Sequence, residues 1–305
     1  MPLPNKIAVL IPCCNEEATI AKVIEDFRGQ LPQAIIYVFD NCSIDRSAEI
    51  AAAHGAVVVH EPRQGKGFVI ERMFDSIDAD IYVMVDGDDT YPADHVHRLI
   101  EPVVAHRADM VVGARVQDGA AEAFRPMHAV GNKLVTHLVN WVSHGCLSDI
   151  MSGYRAFSRR VVDRLPVVSA GFEVETEMTV QMLYYRMEIV EVPVPYRRRP
   201  DGSVSKLRTF RDGIRVLWKI FTLMRSFKPL TFFGAIGLFL FGAGVLAGIP
   251  PIHDYLTMGK VLRFPLAILA SGLMILAAGN VFLGILLHAM NWRLREMHNV
   301  MCRRR

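Results

Sequence analysis

The sequence predicts an α/β domain built on a doubly wound parallel sheet, followed by two helices that cross a membrane. Up to about residue 193, short apolar segments rich in β-branched residues alternate with segments of helical periodicity. That alternation is typical of strands joined by crossover helices. Further on, residues 229–252 and 264–292 contain no Asp, Glu, Lys or Arg. Each of these runs exceeds the ~20 residues that a membrane-spanning helix requires.

Each element of the first part follows from its local pattern. Strands are predicted where short runs of apolar and β-branched residues are bounded by turn residues. The predicted strands are residues 6–11, 35–39, 57–60, 81–85, 110–113, 155–158 and 189–193. Helices are predicted where apolar residues recur at helical spacing. The predicted helices are residues 16–27, 47–54, 68–76, 130–141 and 175–185.

Composition divides the 305 residues into a soluble part and a membrane part. The predicted parts are a soluble domain (1–208), an amphipathic interfacial helix (209–228), two spans (229–252 and 264–292) and a basic tail (293–305). In the interfacial segment, aromatic and aliphatic residues alternate with Arg211, Arg215, Lys219 and Arg225. This is typical of a helix that lies in the headgroup layer, and a packed surface helix is the alternative.

The distribution of charge predicts an integral membrane protein. The net charge is only +3, but Lys and Arg crowd between residues 197 and 228, next to the first apolar run, which favours anionic lipid over nucleic acid as a partner. The loop between the runs carries only Lys260 and Arg263 as basic residues. The positive-inside rule then puts the soluble domain on the cytoplasmic side of a bacterial inner or plasma membrane. The N-terminal residues show no signal-peptide pattern, and the five cysteines form no CxxC pair, which fits a reducing compartment.

The strand predicted at residues 81–85 ends at three carboxylates, Asp86, Asp88 and Asp89. Ligands of open α/β sheets bind beyond the carboxyl ends of the strands. Hard cations that carry phosphates take one or two carboxylates as protein ligands. The pattern therefore predicts a site for a nucleoside diphosphate with Mg²⁺ or Mn²⁺, and a solvated acidic turn is the alternative.

Three further turns at strand ends carry polar groups suited to a nucleotide. Asn15 and Glu16 are expected at a helix start, where backbone N–H groups face an anion. Asp40 ends the next strand and can accept hydrogen bonds from a base, with a plain helix cap as the alternative. Lys66 lies between two glycines, which suits a close phosphate approach, although the loop is not a Walker A motif. No GxGxxG follows the first strand, which argues against a dinucleotide oxidoreductase.

Seven short blocks together resemble the family 2 glycosyltransferases. They are residues 11–17, 40–45, 65–67, 86–89, 113–115, 152–157 and 171–177. More narrowly, the chain is similar to the polyprenyl-phosphate glycosyltransferases of the dolichyl-phosphate mannose synthase-like group. The resemblance covers essentially the whole chain and implies a GT-A fold at the N-terminus with transmembrane helices at the C-terminus.

The resemblance also implies roles for individual residues. Those implied to line the nucleotide are Pro12, Asn15, Glu16, Asp40, Lys66 and Asp86. The implied metal ligands are Asp86, Asp88 and Thr90, the last standing where the family often has glutamine. Arg115 and Arg125 resemble the arginines that hold the acceptor phosphate, although Ala129 stands where a serine is expected.

The activity implied by the resemblance is hexose transfer from a nucleotide sugar to a polyprenyl phosphate, such as undecaprenyl or dolichyl phosphate, by a single inverting displacement. A phosphate monoester has a second pKa of ~6, so near pH 7 it is already a nucleophile and needs no general base. Positive charge is required instead, and Arg115, Arg125, Arg155 and residues 197–206 supply it. Asp149 is expected to orient Arg155 or the sugar hydroxyls. The resemblance favours a UDP-sugar and leaves GDP-mannose open.

Three alternatives stay open. A processive polysaccharide synthase shares the acidic motif but normally adds a Gln-x-x-Arg-Trp signature, which none of the three tryptophans fits. A glycosyltransferase for another acceptor would use the same donor site. A non-catalytic membrane scaffold would retain only the fold. The glycine-rich spans also permit helices of different protomers to pack together, so the sequence is compatible with a homo-oligomer.

Overall fold

The structure is a computed structural model that describes most of the chain. The described residues are 6–116, 136–137, 139–140, 146–171, 173–197, 199, 218, 221–222, 224–226 and 228–303. Most of the predicted helix at 130–141 and of the amphipathic segment at 209–228 lies outside these ranges. The chain divides into two compact units, Met1–Lys219 and Ile220–Arg305. The boundary falls within the predicted interfacial segment.

Seven strands form the sheet of the first unit. They are Ile7–Cys13 (β1), Ile35–Asp40 (β2), Val57–His60 (β3), Ile81–Met84 (β4), Met110–Val116 (β5), Arg155–Ser158 (β6) and Ile189–Pro195 (β7). The spatial order is β3-β2-β1-β4-β6-β5-β7. Strands β1 to β4 pair in parallel, and β5 pairs in parallel with β7. All seven lie where the sequence predicts strands, to within three residues at either end.

The prediction of a parallel sheet is wrong for one strand. Strand β6 runs antiparallel to both of its neighbours, β4 and β5. The chain leaves β5 at the carboxyl edge of the sheet, and the segment before β6 lies at that same edge, where Asp149 contacts Arg115. Strand β6 therefore starts at that edge and runs towards the opposite edge of the sheet. A strand's residues carry no mark of its direction, so the sequence could not distinguish the two orientations.

Helices cover both faces of the sheet. They are Ile20–Gln30 (α1), Ser47–Ala53 (α2), Lys66–Ser76 (α3), Val96–Val104 (α4), Arg159–Val162 (α5) and Val174–Tyr184 (α6). Alternate residues of β1 enter two separate cores, so that Val9 packs with α1 and α4 while Leu10 packs with α3 and α6. Because both faces are covered, strand β1 is apolar along nearly its whole length rather than alternating.

Three helices differ from the sequence prediction, one of them the four-residue α5, which was not predicted. Helix α1 begins at Ile20 rather than at residue 16, because residues 15–19 form a turn in which Asn15 adopts a positive φ of 52°. Helix α4 was missed, although the apolar residues on its buried face recur at helical spacing. Pro102 inside α4 disguises that pattern, since proline usually marks the end of a helix.

The second unit contains two long apolar helices, Pro229–Met258 (α7) and Phe264–Arg303 (α8). Their most apolar stretches have a mean hydropathy of 2.2, and only 11% of each stretch is buried. Core helices of soluble proteins bury such surface, whereas these two expose it. Both helices are long and apolar enough to cross a membrane. They extend beyond the predicted spans, since α7 continues to Met258 and α8 continues past Trp292 to Arg303.

Only some of the glycines in this unit lie between α7 and α8. A Cβ atom at Gly237 would lie 2.8 Å from a Val281 methyl group, and one at Gly284 would lie 3.2 Å from Cβ of Phe233. These two glycines allow the helices to approach each other closely. Gly242 and Gly279, in contrast, face open space.

In the first unit, the glycines on either side of Lys66 are required by a backbone contact. A Cβ atom at Gly67 would lie 1.6 Å from the carbonyl oxygen of Ser169, and one at Gly65 would lie 2.2 Å from that of Ala170. Gly67 N also donates a hydrogen bond of 3.0 Å to Ala170 O. The close approach predicted for a phosphate is therefore occupied by the protein's own backbone.

We expect Gly67→Ala to destabilise the protein by about 1–3 kcal/mol, because two backbone segments must separate to admit the methyl group. The measurement is the thermal unfolding midpoint of the full chain in detergent. Gly29→Ala is the matched control, since nothing lies within 4 Å of its added Cβ; it should be neutral or stabilising by up to about 1 kcal/mol. A Gly67→Ala protein that unfolds at the wild-type temperature would contradict the packing described here.

Candidate active site

The polar residues singled out in the sequence converge on one edge of the sheet. Strands β1, β2 and β4 are parallel and end side by side, with Cys13 in register with Asp40. Asp86 and Asp88 follow the end of β4, and Arg115 lies near the end of β5. The carboxyl edge of the strands is where open α/β sheets bind their ligands.

The first of these groups is the carboxylate of Asp40, which is 6% exposed. Its Oδ2 lies 3.1 Å from Nδ1 of His60. Its Oδ1 is buried, with no hydrogen-bond partner among the residues that the structure describes. A buried carboxylate oxygen in this state is costly and suits an N–H donor from a ligand.

The loops around Asp40 are held by side chains rather than left open for an anion. The backbone N–H groups of Asn15, Glu16 and Glu17 donate to Ser43 Oγ (3.0 Å), Ser47 Oγ (2.8 Å) and Asp45 Oδ2 (3.2 Å) respectively. The expectation that the N–H groups of residues 15 and 16 face a ligand is therefore wrong. Their hydrogen bonds instead tie the loop after β1 to the loop after β2.

Pro12 and Glu16 belong to the end of β1 and the loop that follows it. Pro12 is half-buried in β1, and its carbonyl oxygen would lie 3.5 Å from a Cβ added at Gly87. Glu16 is 8% exposed. Both positions are close in sequence to the strand end, and their role in binding a nucleotide stays a prediction.

The acidic centre is balanced by two cations. Lys66 Nζ lies 2.6 Å from Asp86 Oδ1 and 2.6 Å from Glu175 Oε1. Burial alone would lower the pKa of Lys66, but the two carboxylates outweigh burial and raise that pKa above its ordinary value. Arg199 Nη2 lies 2.5 Å from Asp88 Oδ2. Burial and the Asp86 carboxylate raise the pKa of Asp88, and Arg199 opposes that rise.

Thr90 orients Asp88. Its hydroxyl donates to Asp88 Oδ1 at 2.6 Å and its backbone N–H donates to the same oxygen at 3.2 Å. Thr90 is completely buried. Asp89, the third carboxylate of the motif, has a positive φ of 56° and pairs with Lys22 on α1 at 2.7 Å. The acidic motif is thereby divided between Asp86 and Asp88, which belong to the site, and Asp89, which does not.

The oxygen donors present fit a hard divalent cation that is shared with a phosphate ligand. No cluster of three or more His, Cys, Asp or Glu side chains with metal-site geometry occurs within the described ranges. Mg²⁺ is usually held by one or two carboxylates together with substrate phosphates, rather than by an all-protein cage. Asp86 and Asp88 supply that number. A Cβ atom at Gly153 would lie 2.2 Å from Asp86 Oδ2, so the glycine leaves space for the carboxylate.

On the other side of the site, Arg115 and Asp149 form a two-pronged ion pair. Arg115 Nε lies 2.6 Å from Asp149 Oδ2, and Nη2 lies 2.9 Å from Oδ1. Burial alone would raise the pKa of Asp149, but the hydrogen bonds from Arg115 lower it below its ordinary value. The Arg115 guanidinium also lies over the ring of Tyr196, 5.4 Å from its centroid. Asp149 was expected to orient Arg155 or the sugar hydroxyls; the structure shows that the arginine it orients is Arg115, and a contact with the sugar stays a prediction.

Arg155 does not reach the surface of the site. Its side chain is fully buried and donates to Ile150 O (2.7 Å), Ser152 O (2.8 Å) and Thr179 Oγ1 (3.0 Å). Burial lowers the pKa of its guanidinium. These bonds fasten residues 150–152 to α6, so Arg155 shapes the loop that follows Asp149 and is not placed to hold a phosphate. Arg125 and Ala129, the other residues named for the acceptor, lie outside the described residues.

Sequence reasoning missed Tyr91. Its hydroxyl oxygen accepts a hydrogen bond from Gly153 N at 3.1 Å, and its ring packs against Tyr154 and Tyr196. Tyr91 thus connects the acidic motif to the segment before β6. Its position directly after the motif was a usable signal, but an aromatic residue in that place also fits an ordinary turn.

The mixed sheet, with acidic and basic side chains at its carboxyl edge, defines a GT-A-like sugar-nucleotide transferase domain. Residues 8–165 match the family described as Glycosyl transferase family 2. Because the match spans more than half of the chain, the chain belongs to that family, and the resemblance inferred from the seven blocks is confirmed.

Relatives of known name extend this comparison. The chain is 35% identical over 238 residues to glycosyltransferase AglJ of Haloferax volcanii, covering 78% of each chain. It is 29% identical over 213 residues to the dolichyl-phosphate hexose transferase of the same organism, covering 70% of this chain and 91% of the relative. Polyprenyl-phosphate sugar transferases are therefore among its homologues.

A solved structure supports the fold. Glucosyl-3-phosphoglycerate synthase from Mycobacterium tuberculosis, in complex with Mn²⁺, UDP and glucosyl-3-phosphoglycerate, is similar with a TM-score of 0.58 and 25% identity. The similarity covers 71% of this chain and 80% of that one. A protein of similar fold thus binds Mn²⁺ together with a nucleoside diphosphate.

We expect Asp149→Asn to destabilise the protein by about 3–5 kcal/mol, because it leaves the Arg115 guanidinium without its buried counter-charge. Thermal unfolding of the full chain in detergent measures the loss. Asp26→Asn is the matched control, since Asp26 pairs with Lys22 at an exposed site and its loss should cost less than about 1 kcal/mol. Equal losses in the two variants would refute the assignment.

The same pair predicts a pH dependence. A carboxyl with a lowered folded-state pKa contributes stability above its unfolded pKa of about 3.9, and that contribution is lost as the pH falls through the lower folded-state value. The stability difference between wild type and Asp149→Asn should therefore be constant above about pH 5 and shrink below about pH 4. A difference that stays constant down to pH 2 would show that Asp149 is not held as a carboxylate.

Proposed function

We propose that the protein transfers a hexose from a nucleoside diphosphate sugar to a polyprenyl phosphate, with inversion at the anomeric carbon. The observation that carries the proposal is the pair of carboxylates at the end of β4, each held against a cation, together with the ion pair of Arg115 and Asp149 at the end of β5. One set suits a diphosphate with its metal, and the other suits a second anion.

The donor half of the proposal assigns residues to the base and to the diphosphate of the nucleotide. Asp40 presents its buried, unpartnered Oδ1 to the base. Asp86 and Asp88 would hold the metal, and Lys66 and Arg199 supply positive charge next to them. A bound Mg²⁺ or Mn²⁺ would stabilise the negative charge that develops on the departing diphosphate.

The acceptor half of the proposal rests on Arg115. A lipid monophosphate is largely a dianion near pH 7, so one of its oxygens attacks the anomeric carbon without loss of a proton. The bond from that carbon to the diphosphate oxygen breaks, and its electron pair leaves with the nucleoside diphosphate. Arg115, aligned by Asp149, would hold the attacking phosphate in line.

The two apolar helices support a lipid acceptor over a soluble one. A chain that spans the membrane keeps its site next to the phosphates of membrane lipids, and a named relative is a dolichyl-phosphate hexose transferase. The basic residues that flank the spans further support a cytoplasmic site in a bacterial membrane. These assignments of acceptor, side and membrane are part of the proposal.

A second candidate is transfer to a small phosphorylated acid. It is favoured by the similarity to a synthase whose structure holds glucosyl-3-phosphoglycerate. Such an acceptor also bears a phosphate that Arg115 could hold, but it leaves the two exposed apolar helices without a task.

Sugar transfer by the full chain in detergent tests the proposal. Radiolabelled UDP-hexoses and GDP-mannose are supplied with Mg²⁺ or Mn²⁺, and with either undecaprenyl phosphate or 3-phosphoglycerate as acceptor. We expect metal-dependent label in the lipid fraction. Label in phosphoglycerate alone would establish the second candidate, and no turnover with any donor would leave a membrane scaffold.

Asp88→Asn should lower lipid labelling about a hundredfold or more, because it removes a charge aimed at the metal and diphosphate. Asp89→Asn is the matched control from the same motif. Its carboxylate pairs with Lys22 outside the site, and asparagine tolerates the positive φ of that position. Equal activity of the two variants would remove Asp88 from the mechanism.

Thr90→Val should raise the Mn²⁺ concentration needed for half-maximal activity about tenfold, because Asp88 Oδ1 loses the hydroxyl that orients it. Thr90→Ser keeps that hydroxyl and should restore the wild-type value. A valine variant with unchanged metal dependence would show that Thr90 serves only packing.

A further inference from the structure

Glu191 has no role in the chemistry described so far, yet its carboxylate accepts an unusual number of hydrogen bonds. The side chain lies on β7 and is half-buried. Ser148 N donates to both of its oxygens at 2.8 Å, Ser148 Oγ donates to Oε2 at 2.9 Å, and Asp149 N donates to Oε1 at 2.9 Å. All four hydrogen bonds come from donor groups of two consecutive residues.

The second of those residues is the partner of Arg115. Glu191 holds the backbone of Asp149, and the Asp149 carboxylate in turn holds the Arg115 guanidinium through two hydrogen bonds. The carboxylate also accepts from the backbone N–H groups of Arg115 and Met151, each at 3.2 Å. The position of Asp149 is thus fixed by hydrogen bonds to its main chain and to its side chain.

Glu191 and Arg115 lie on two strands that pair with each other. Arg115 is in register with Val194, and Glu191 is in register with Val112, in the parallel ladder of β5 and β7. A loop held to one strand and an arginine carried by the neighbouring strand keep a constant separation, because the ladder between them is rigid. Glu191 thus ties the backbone of residues 148 and 149 to β7, in addition to the contacts of Asp149 with Arg115 on β5.

We propose that Glu191 is a positioning residue for the acceptor phosphate, acting through residues 148 and 149 on the direction of Arg115. This inference rests on the proposed function, because it takes Arg115 as the group that holds the attacking phosphate. The donor side is held by a different set of contacts, those of Lys66 with Asp86 and of Arg199 with Asp88. A defect at Glu191 therefore affects the acceptor and spares the donor.

Glu191→Gln tests this separation. The amide keeps one acceptor oxygen but turns an NH₂ group towards N–H donors that the carboxylate satisfied. We expect KM for undecaprenyl phosphate to rise about tenfold, since small misplacements of a positioning group have large effects on reactivity. KM for the nucleotide sugar, and the affinity for the nucleoside diphosphate with Mn²⁺, should stay within about twofold of wild type.

Glu101→Gln is the matched control. Glu101 lines the same surface cavity as Glu191 but pairs with the exposed Arg107. Glu101→Gln removes the same charge at the same cavity, from a more exposed side chain, so the KM for both substrates should equal that of wild type. If Glu101→Gln raises KM for the lipid as much as Glu191→Gln does, the effect is one of local charge and the proposal fails.

Ser148→Ala keeps the proposal testable if Glu191→Gln does not fold. It removes one of the four hydrogen bonds and should raise KM for the lipid about two- to threefold at unchanged donor KM. An unchanged lipid KM in a folded Glu191→Gln, or a parallel rise of donor and lipid KM, overturns the positioning role while the proposed function stands. Wild type that binds the nucleoside diphosphate but labels no lipid overturns both.

Discussion

The sharing of Lys66 between Asp86 and Glu175 is the interaction on which the site depends. Two carboxylates from separate parts of the chain, the end of β4 and the first turn of α6, meet one buried ammonium group. Without that cation they would repel each other in surroundings that screen charge poorly. Arg199, near the C-terminal end of the domain, balances the charge of Asp88 in the same way. Charge compensation therefore joins four segments into one site.

Strand positions and the acidic strand end were predictable from sequence because both depend on local patterns. An apolar β-branched run that stops at aspartates shows where a strand ends, and parallel strand ends meet at one edge. The identity of each partner was not predictable. Nothing in the spacing of Asp149 distinguishes Arg115 from Arg155, since that choice depends on which guanidinium is fully buried beneath the loop. The reversed β6 is hidden for a related reason, as pairing direction depends on where the chain returns.

The glycines illustrate how one residue type serves different purposes in the two units. Beside Lys66 they admit a neighbouring backbone, whereas Gly237 and Gly284 admit side chains of the facing helix, and Gly242 and Gly279 face no part of the chain that the structure describes. Sequence shows only that small residues are present. Whether a given glycine is required depends on what lies opposite, and that is decided by tertiary packing.

The contact of the first turn of α3 with Ser169 and Ala170 has a consequence for motion. Because backbone touches backbone there, with no side chain between them, the two segments cannot slide past each other and must move together. Lys66 moves with these two segments, and so does the chain leading into α6, which carries Glu175. Any opening of the site to admit a donor or release a product must therefore hinge outside these two segments.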